Sequence, residues 1–180
     1  MKIDLLIILT LPALLLNTPA HAISDGSWED ISDIGVDGLI GAALIVPITR
    51  DDRDGLYQAA YSLSSAIGVT IIGKSLVDEE RPDNSDNDSF PSRHTAKAFA
   101  SATTLHRRYG WQMGFPAYAL ATLTGIARER ARKHHWYDIV AGAAIGSATG
   151  WLFTDAIDGN VQLVPWVSSK GSGITLSMPW

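Results

Sequence analysis

The chain has 180 residues, a formal net charge of −5 and no cysteine. That length fits one domain, the acidic balance argues against a general nucleic-acid binder, and the missing cysteine excludes a disulfide framework, a thiolate zinc site and a cysteine nucleophile. Apolar residues make up 46%, charged residues 18%, and the mean hydropathy is +0.09, which suits a protein with a good core and is low for one whose helices mostly face lipid.

Met1–Ala22 reads as a secretory signal peptide. Lys2 gives a thin positive region, weakened by Asp4, and Leu5–Leu16 is a twelve-residue apolar core, short for a bilayer span. Ala20-His21-Ala22 supplies the small-x-small cleavage pattern after Pro19. An uncleaved anchor is the alternative. The chain is thus expected to be exported, either periplasmic or held at the inner membrane with its site on the periplasmic side. The remaining domain, residues 23–180, divides into a helical core over 31–154 and a C-terminal hairpin over 161–180.

Ile23–Ser32 is polar and short, and residues 33–49 read as a helix ending at Pro47 and the charged turn Arg50–Asp54. Gly55–Gly73 carries no charge and reads as a buried helix or a marginal span, continuing through Lys74 and stopping near Arg81-Pro82. Asp83–Pro91 is an acidic, Asn/Ser-rich loop. As a calcium loop it fails, because Asp88 stands where Gly is needed and His94 where Glu is needed. Ser92 is a plausible N-cap for a helix over Thr95–Arg108 ended by Gly110, and Pro116–Ala127 suggests another. Asp138–Phe153 is the last helix, with Gly142, Ala143, Gly146 and Gly150 forming a small-residue face. The expected fold class is all-α: a bundle of about five helices with a small C-terminal β-hairpin. Val161–Val167 and Ile174–Trp180 would form the hairpin, flanking Ser-Ser-Lys-Gly-Ser-Gly.

The segment Arg128–Asp138 concentrates cations, the doublet His134-His135 and one carboxylate. On a helix, His134 and Asp138 would lie one turn apart on one face, where Asp138 could fix the imidazole tautomer and leave the other ring nitrogen free as a base or nucleophile. In isolation a solvated basic helix start with a structural i,i+4 pair is the better reading of the segment. Two further clusters change that balance. Lys74 and Arg81 are seven residues apart, so on a helix both present cations on one face, and Pro91-Ser92-Arg93-His94 places a hydroxyl and a titratable ring at a helix N-terminus, a ready anion site.

In order, the three clusters read Lys74-x6-Arg81-Pro82, Pro91-Ser92-x-His94 and Arg128-x5-His134-x3-Asp138. This set resembles the signature of the type 2 phosphatidic acid phosphatase family, whose fold is shared by bacterial class A acid phosphatases and vanadium haloperoxidases. Register resolves the doublet: counting from His135 would require a cation at Glu129 and a carboxylate at Ile139. Two positions depart from the family pattern. Arg93 stands where Gly is common, and Ala127 replaces a Ser.

The resemblance implies hydrolysis of a phosphomonoester or pyrophosphate through a phosphohistidine, with no metal and no other cofactor. It implies His134 as nucleophile, Asp138 as its partner, and His94 as acid and then base. Lys74, Arg81, Ser92, Arg128 and the Arg93 backbone would hold the phosphate. The expected partner is a phosphorylated substrate, with membrane contact or insertion where that substrate is a lipid. Apolar helices favour a lipid and the mean hydropathy favours a soluble phosphoester, so both stay open. A haloperoxidase or a non-catalytic phosphate-binding module are the readings from other classes.

Overall fold

A computed structural model describes residues 23–155, 162–168 and 171–177, so the expected signal peptide, residues 1–22, lies outside the described residues. Five helices are present among them: α1 (Asp25–Thr49), α2 (Arg53–Leu76), α3 (Arg93–Tyr109), α4 (Trp111–Arg130) and α5 (Trp136–Phe153). An antiparallel pair, β1 (Gln162–Ser168) and β2 (Gly171–Ser177), follows and touches α5 through β1. The expected all-α class with a C-terminal hairpin is what the chain adopts.

Helix α3 is the axis of the bundle, and each of the other four helices packs against it. Most of its buried side chains are small, including Ala96, Ala98, Ala100 and Ala102, all fully buried, so four neighbours can approach closely. Ser92 caps it by accepting from the Thr95 N–H, as the sequence suggests. Gly110 ends it with φ +81, a left-handed conformation that favours glycine, and α4 starts at the next residue.

Against α3 lies the glycine face of α5. A Cβ on Gly142 would sit 2.4 Å from the Ser92 carbonyl oxygen, and one on Gly146 would sit 2.2 Å from the Ala96 carbonyl oxygen. Only hydrogen at these positions permits such backbone contact. On the other side, α1 buries Val36, Leu39 and Ala43, spaced three and four apart on one face. They pack in one core cluster with Ala98, Leu105, Ala117 and Ala121 of α3 and α4.

Three boundaries differ from the sequence reading. α1 begins at Asp25, not near residue 33, because Ser24 caps it by accepting from the Ser27 N–H. α2 stops at Leu76, well short of Arg81-Pro82. Val77 is extended, and residues 79–89 fold back on themselves through Glu79 N–H to Asn87 O, Arg81 N–H to Asp86 O and Ser89 N–H to Glu79 O. The hairpin pairs Ser168 with Gly171, so β2 starts three residues before the expected Ile174 and its connection is shorter.

The far end of the bundle is held by a polar clasp. Asp52 accepts from Arg108 at 2.6 and 2.8 Å, from the Tyr109 hydroxyl at 2.8 Å and from the Gly55 N–H at 3.0 Å. The Arg108 hydrogen bonds chiefly hold the Asp52 carboxyl down at about 2, against burial, which pushes it up. A carboxyl depressed in the folded state adds stability above its unfolded value near 3.8, and that stability is lost as pH falls through about 2. Asp52→Asn is therefore expected to lower unfolding free energy by about 3 kcal/mol at neutral pH. Urea titrations of both proteins should show the gap closing as pH falls from 4 towards 2, and a gap independent of pH would contradict the assignment.

Candidate active site

Residues 131–135 carry the chain from α4 to α5. Ala131, Arg132 and Lys133 donate backbone hydrogen bonds to Ala127, Glu129 and Arg128, and Arg132 turns the chain with φ +56. His135 is the N-cap of α5 and Asp138 its third residue. His134 therefore precedes the helix; it does not share a helical face with Asp138, as the i,i+4 reading expected. The two meet because Asp138 points back to the cap, accepting from the His135 N–H at 2.8 Å.

Asp138 is fully buried. Its Oδ2 also accepts from the Ser89 hydroxyl at 2.5 Å and lies 3.5 Å from Nδ1 of both His134 and His135. Its Oδ1 has no hydrogen-bond partner among the described residues. Burial pushes this carboxyl up, but His134, Ser89 and the His135 N–H together hold it below the ordinary carboxylate value. His134 is 2% exposed. Burial pulls its imidazole below the ordinary value, Asp138 pulls it up, and Arg128, Arg81 and Lys74 push it down again. The ring is thus neutral at neutral pH, with Nδ1 towards Asp138 and Nε2 left for other chemistry. The α3 N-terminus is fixed beside it, since the Ser92 N–H donates to the Asp138 carbonyl at 3.1 Å.

Of the expected cations, Lys74 and Arg81 do not share a helical face, because α2 ends between them. They converge differently, with both donating to the carbonyl of Asp88. Arg81 is further held by Asp86 at 2.5 Å and by the Lys133 carbonyl at 3.1 Å. Burial lowers the Lys74 ammonium, and neighbouring Arg81 lowers it further.

Arg128 is buried at the end of α4 and faces α1. Its Nη1 lies 3.3 Å from Ser32 Oγ, 3.6 Å from Asp33 and 3.8 Å from Glu29, and its Nε has no partner among the described residues. The same Asp33 oxygen lies 3.2 Å from Nε2 of His94. Burial, then the charges of Arg128, Lys97, His134 and Arg93, push the His94 imidazole down to about 3. Asp33 is half-exposed and shared with Arg128, so it does not outweigh them. Ser92 is buried with its hydroxyl committed to the cap, 3.0 Å from Thr95 Oγ1, while Arg93 is exposed.

Sequence reasoning missed the α1 carboxylates, Ser89 and Lys97. Glu29, Asp33 and Asp37 recur every four residues and would have marked one helical face had the helix been started at Asp25. Nothing distinguishes Ser89 from the other small polar residues of its loop. For a cation, Glu79, His135 and Asp138 offer ligand atoms within 4.8 Å of one another, although Asp138 Oδ2 already carries two hydrogen bonds.

The family model of the PAP2 superfamily matches residues 55–162. The chain belongs to the PAP2 superfamily. That match spans the three clusters, α2 to α5 and the first residue of β1. Among curated PAP2-like relatives, a lipid A 1-phosphatase of Porphyromonas gingivalis is 36% identical over 99 residues, 50% of this chain and 22% of the relative. A lipid A 4'-phosphatase of Helicobacter pylori is 35% identical over 97 residues, 51% of this chain and 49% of the relative. The chain thus spans half or less of these relatives' lengths. The crystal structure of Aquifex aeolicus LpxE superposes with a TM-score of 0.63 at 23% identity, covering 76% of this chain and 88% of that one, which shows a shared fold.

Asp33 lies between Arg128 and His94, where it would compete with any oxyanion drawn to these residues. Asp33→Asn is expected to tighten vanadate binding by about fivefold, the worth of one half-exposed ion pair of ~1 kcal/mol. Isothermal titration measures this directly, and unchanged or weaker binding would mean Asp33 does not compete.

Proposed function

We propose that this chain hydrolyses the phosphomonoester of a lipid through a covalent intermediate on His134. The observation that carries the reading is His134 itself: buried, neutral, set with Nδ1 towards a buried carboxylate and ringed by Arg128, Arg81 and Lys74. A phosphoryl group demands positioned positive charge and an in-line nucleophile above all else.

In the first step His134 Nε2 donates its lone pair to phosphorus as the bond to the leaving alkoxide breaks, and His94 gives that oxygen a proton. In the second, His94 takes a proton from water, the water oxygen attacks phosphorus, and the P–N bond returns its electrons to His134. Asp138 stabilises the imidazolium character of His134 between the two. Lys74, Arg81, Arg128 and the backbone at Ser92-Arg93 hold the non-bridging oxygens. Burial first, and then the cations around it, depress His94; the negative charge of a bound phosphate offsets the cations and so raises the ring's readiness to act as an acid.

Support for a lipid comes from two sides. Both curated relatives are named as lipid A phosphatases. The bundle also exposes large apolar side chains, among them Trp111, Phe115, Trp136 and Trp151, each more than 60% exposed. α1 is long and apolar enough to cross a bilayer by length and composition. We place the enzyme at the inner membrane with its site on the periplasmic side, in keeping with the signal-like Met1–Ala22. A soluble periplasmic phosphoester is the second reading, favoured by the mean hydropathy of +0.09.

His134→Ala is expected to lower turnover of a lipid phosphate by several orders of magnitude with the circular dichroism spectrum unchanged. His135→Ala should be far milder, since His135 is a third exposed and caps α5. Folded His134→Ala retaining more than a few per cent of activity, or a reversed order of the two, would sink the assignment. Turnover should also survive excess EDTA and be blocked by vanadate. Loss in EDTA restored by Mg²⁺ or Zn²⁺ would show a metal requirement.

A further inference from the structure

Helices α4 and α5 both pack on α3 but scarcely on each other. They touch where Ile139 fits against Gly125: a Cβ there would meet the Ile139 side chain at 2.8 Å and Thr95 at 3.5 Å. Outside that contact their outer faces diverge and leave a groove of about 300 Å³. Phe99 of α3 lines it, Thr122 and Ile126 come from α4, and Trp136, Val140 and Ala143 from α5. Glu129, the neighbour of Arg128, is the one charged side chain in the lining.

The groove is tied to the phosphate site by short covalent and packing links. Trp136 follows His135 in the chain, and Ile139 follows Asp138. Ile139 and Thr95 both lie against Gly125, and the Thr95 hydroxyl is 3.0 Å from that of Ser92. Trp136, Val140 and Ile126 are 66%, 58% and 44% exposed, so the apolar surface is open along the groove.

We propose that the α4/α5 groove binds one saturated alkyl or acyl chain of the same substrate molecule whose phosphate sits at His134; this rests on the reading of the site given above. The occupant follows from what lines the groove. Almost wholly apolar walls fit a hydrocarbon, and Glu129 disfavours a second anionic group at that edge. Proximity to Asp138 and His135 puts the ligand's polar end at the phosphate site. A chain held there leaves the phosphoester in register with Nε2 of His134.

The test is kcat/KM of the full chain for n-alkyl phosphates from butyl to dodecyl, each below its aggregation concentration. Their leaving alkoxides are chemically alike, so differences report binding of the chain. Burial of a methylene is expected to raise kcat/KM about fourfold until the groove is full. Ala143→Phe fills the groove and Val140→Asp makes its open wall polar, and each should collapse the dodecyl-to-butyl ratio. A variant that merely folds less well lowers both rates and keeps the ratio, so the ratio separates the two effects. Hydrolysis with no dependence on chain length overturns the proposal. So does an unchanged ratio in both variants, which would leave the groove to bilayer lipid or another protein. No hydrolysis of any ester by the parent chain would instead overturn the phosphatase reading itself.

Discussion

The close approach of α5 to α3 is the constraint on which the rest of the structure depends. Gly142 and Gly146 meet backbone carbonyls of α3 at distances no side chain permits. This contact brings the N-terminal ends of both helices to one place. There the Ser92 N–H reaches the Asp138 carbonyl, and His94 and His134 come to lie beside Arg128. Two helix N-termini directed at one point add their dipoles to those cations, a field suited to an anion.

That concentration of charge is balanced within the fold. Asp138 sits at zero exposure with one oxygen taken by Ser89 and the His135 N–H, an arrangement that offsets much of the desolvation of a buried carboxylate. The α1 acids Glu29 and Asp33 offset Arg128 and Lys133 from the opposite wall. At the other end of the bundle, Asp52, Arg108 and Tyr109 tie the α1–α2 turn to the end of α3, and Thr104 and Arg107 bind Thr154 at the end of α5. The core between is built largely from alanine, glycine and threonine, which bury little area per residue. Precise packing and these polar clasps therefore carry much of the specificity that bulky side chains supply elsewhere.

The helices, and the residues that the fold brings together around His134, were legible because each left a local mark. Ser92 and Gly110 bracket α3, the glycines of α5 share one face, and the spacing from Arg128 to Asp138 survives the change from helix to turn. What was not legible arose from interactions distant in sequence. The start of α1 is masked by acidic residues whose partners, Arg128 and His94, lie far along the chain. Lys74 and Arg81 look like a helical pair, but the backbone pairing of residues 79–89 ends α2 first. The two histidines each lie 3.5 Å from Asp138, so pairing distance does not rank them. Burial does: His134 is enclosed and His135 is a third exposed.

Burial first, and then the surrounding cations, depress both imidazoles, although the proposed chemistry asks opposite things of them. A nucleophile has to be neutral before attack, and burial with Arg128, Arg81 and Lys74 keeps His134 so. A general acid has to hold a proton, which the same field opposes at His94. On the proposed reading a bound substrate would ease this conflict, because its phosphate would carry negative charge to the side of the site where Asp33 lies against His94 and Arg128. Exchanging a half-exposed carboxylate for a bound phosphate places more negative charge against His94, while Asp138 stays fixed beside His134. Charge would thus arrive where the proposed acid needs it, and the proposed nucleophile's own partner would not change. On this account Asp33 is the electrostatic counterpart of the substrate, and its position on α1 links the N-terminal helix, otherwise a wall of the core, to the protonation of the site.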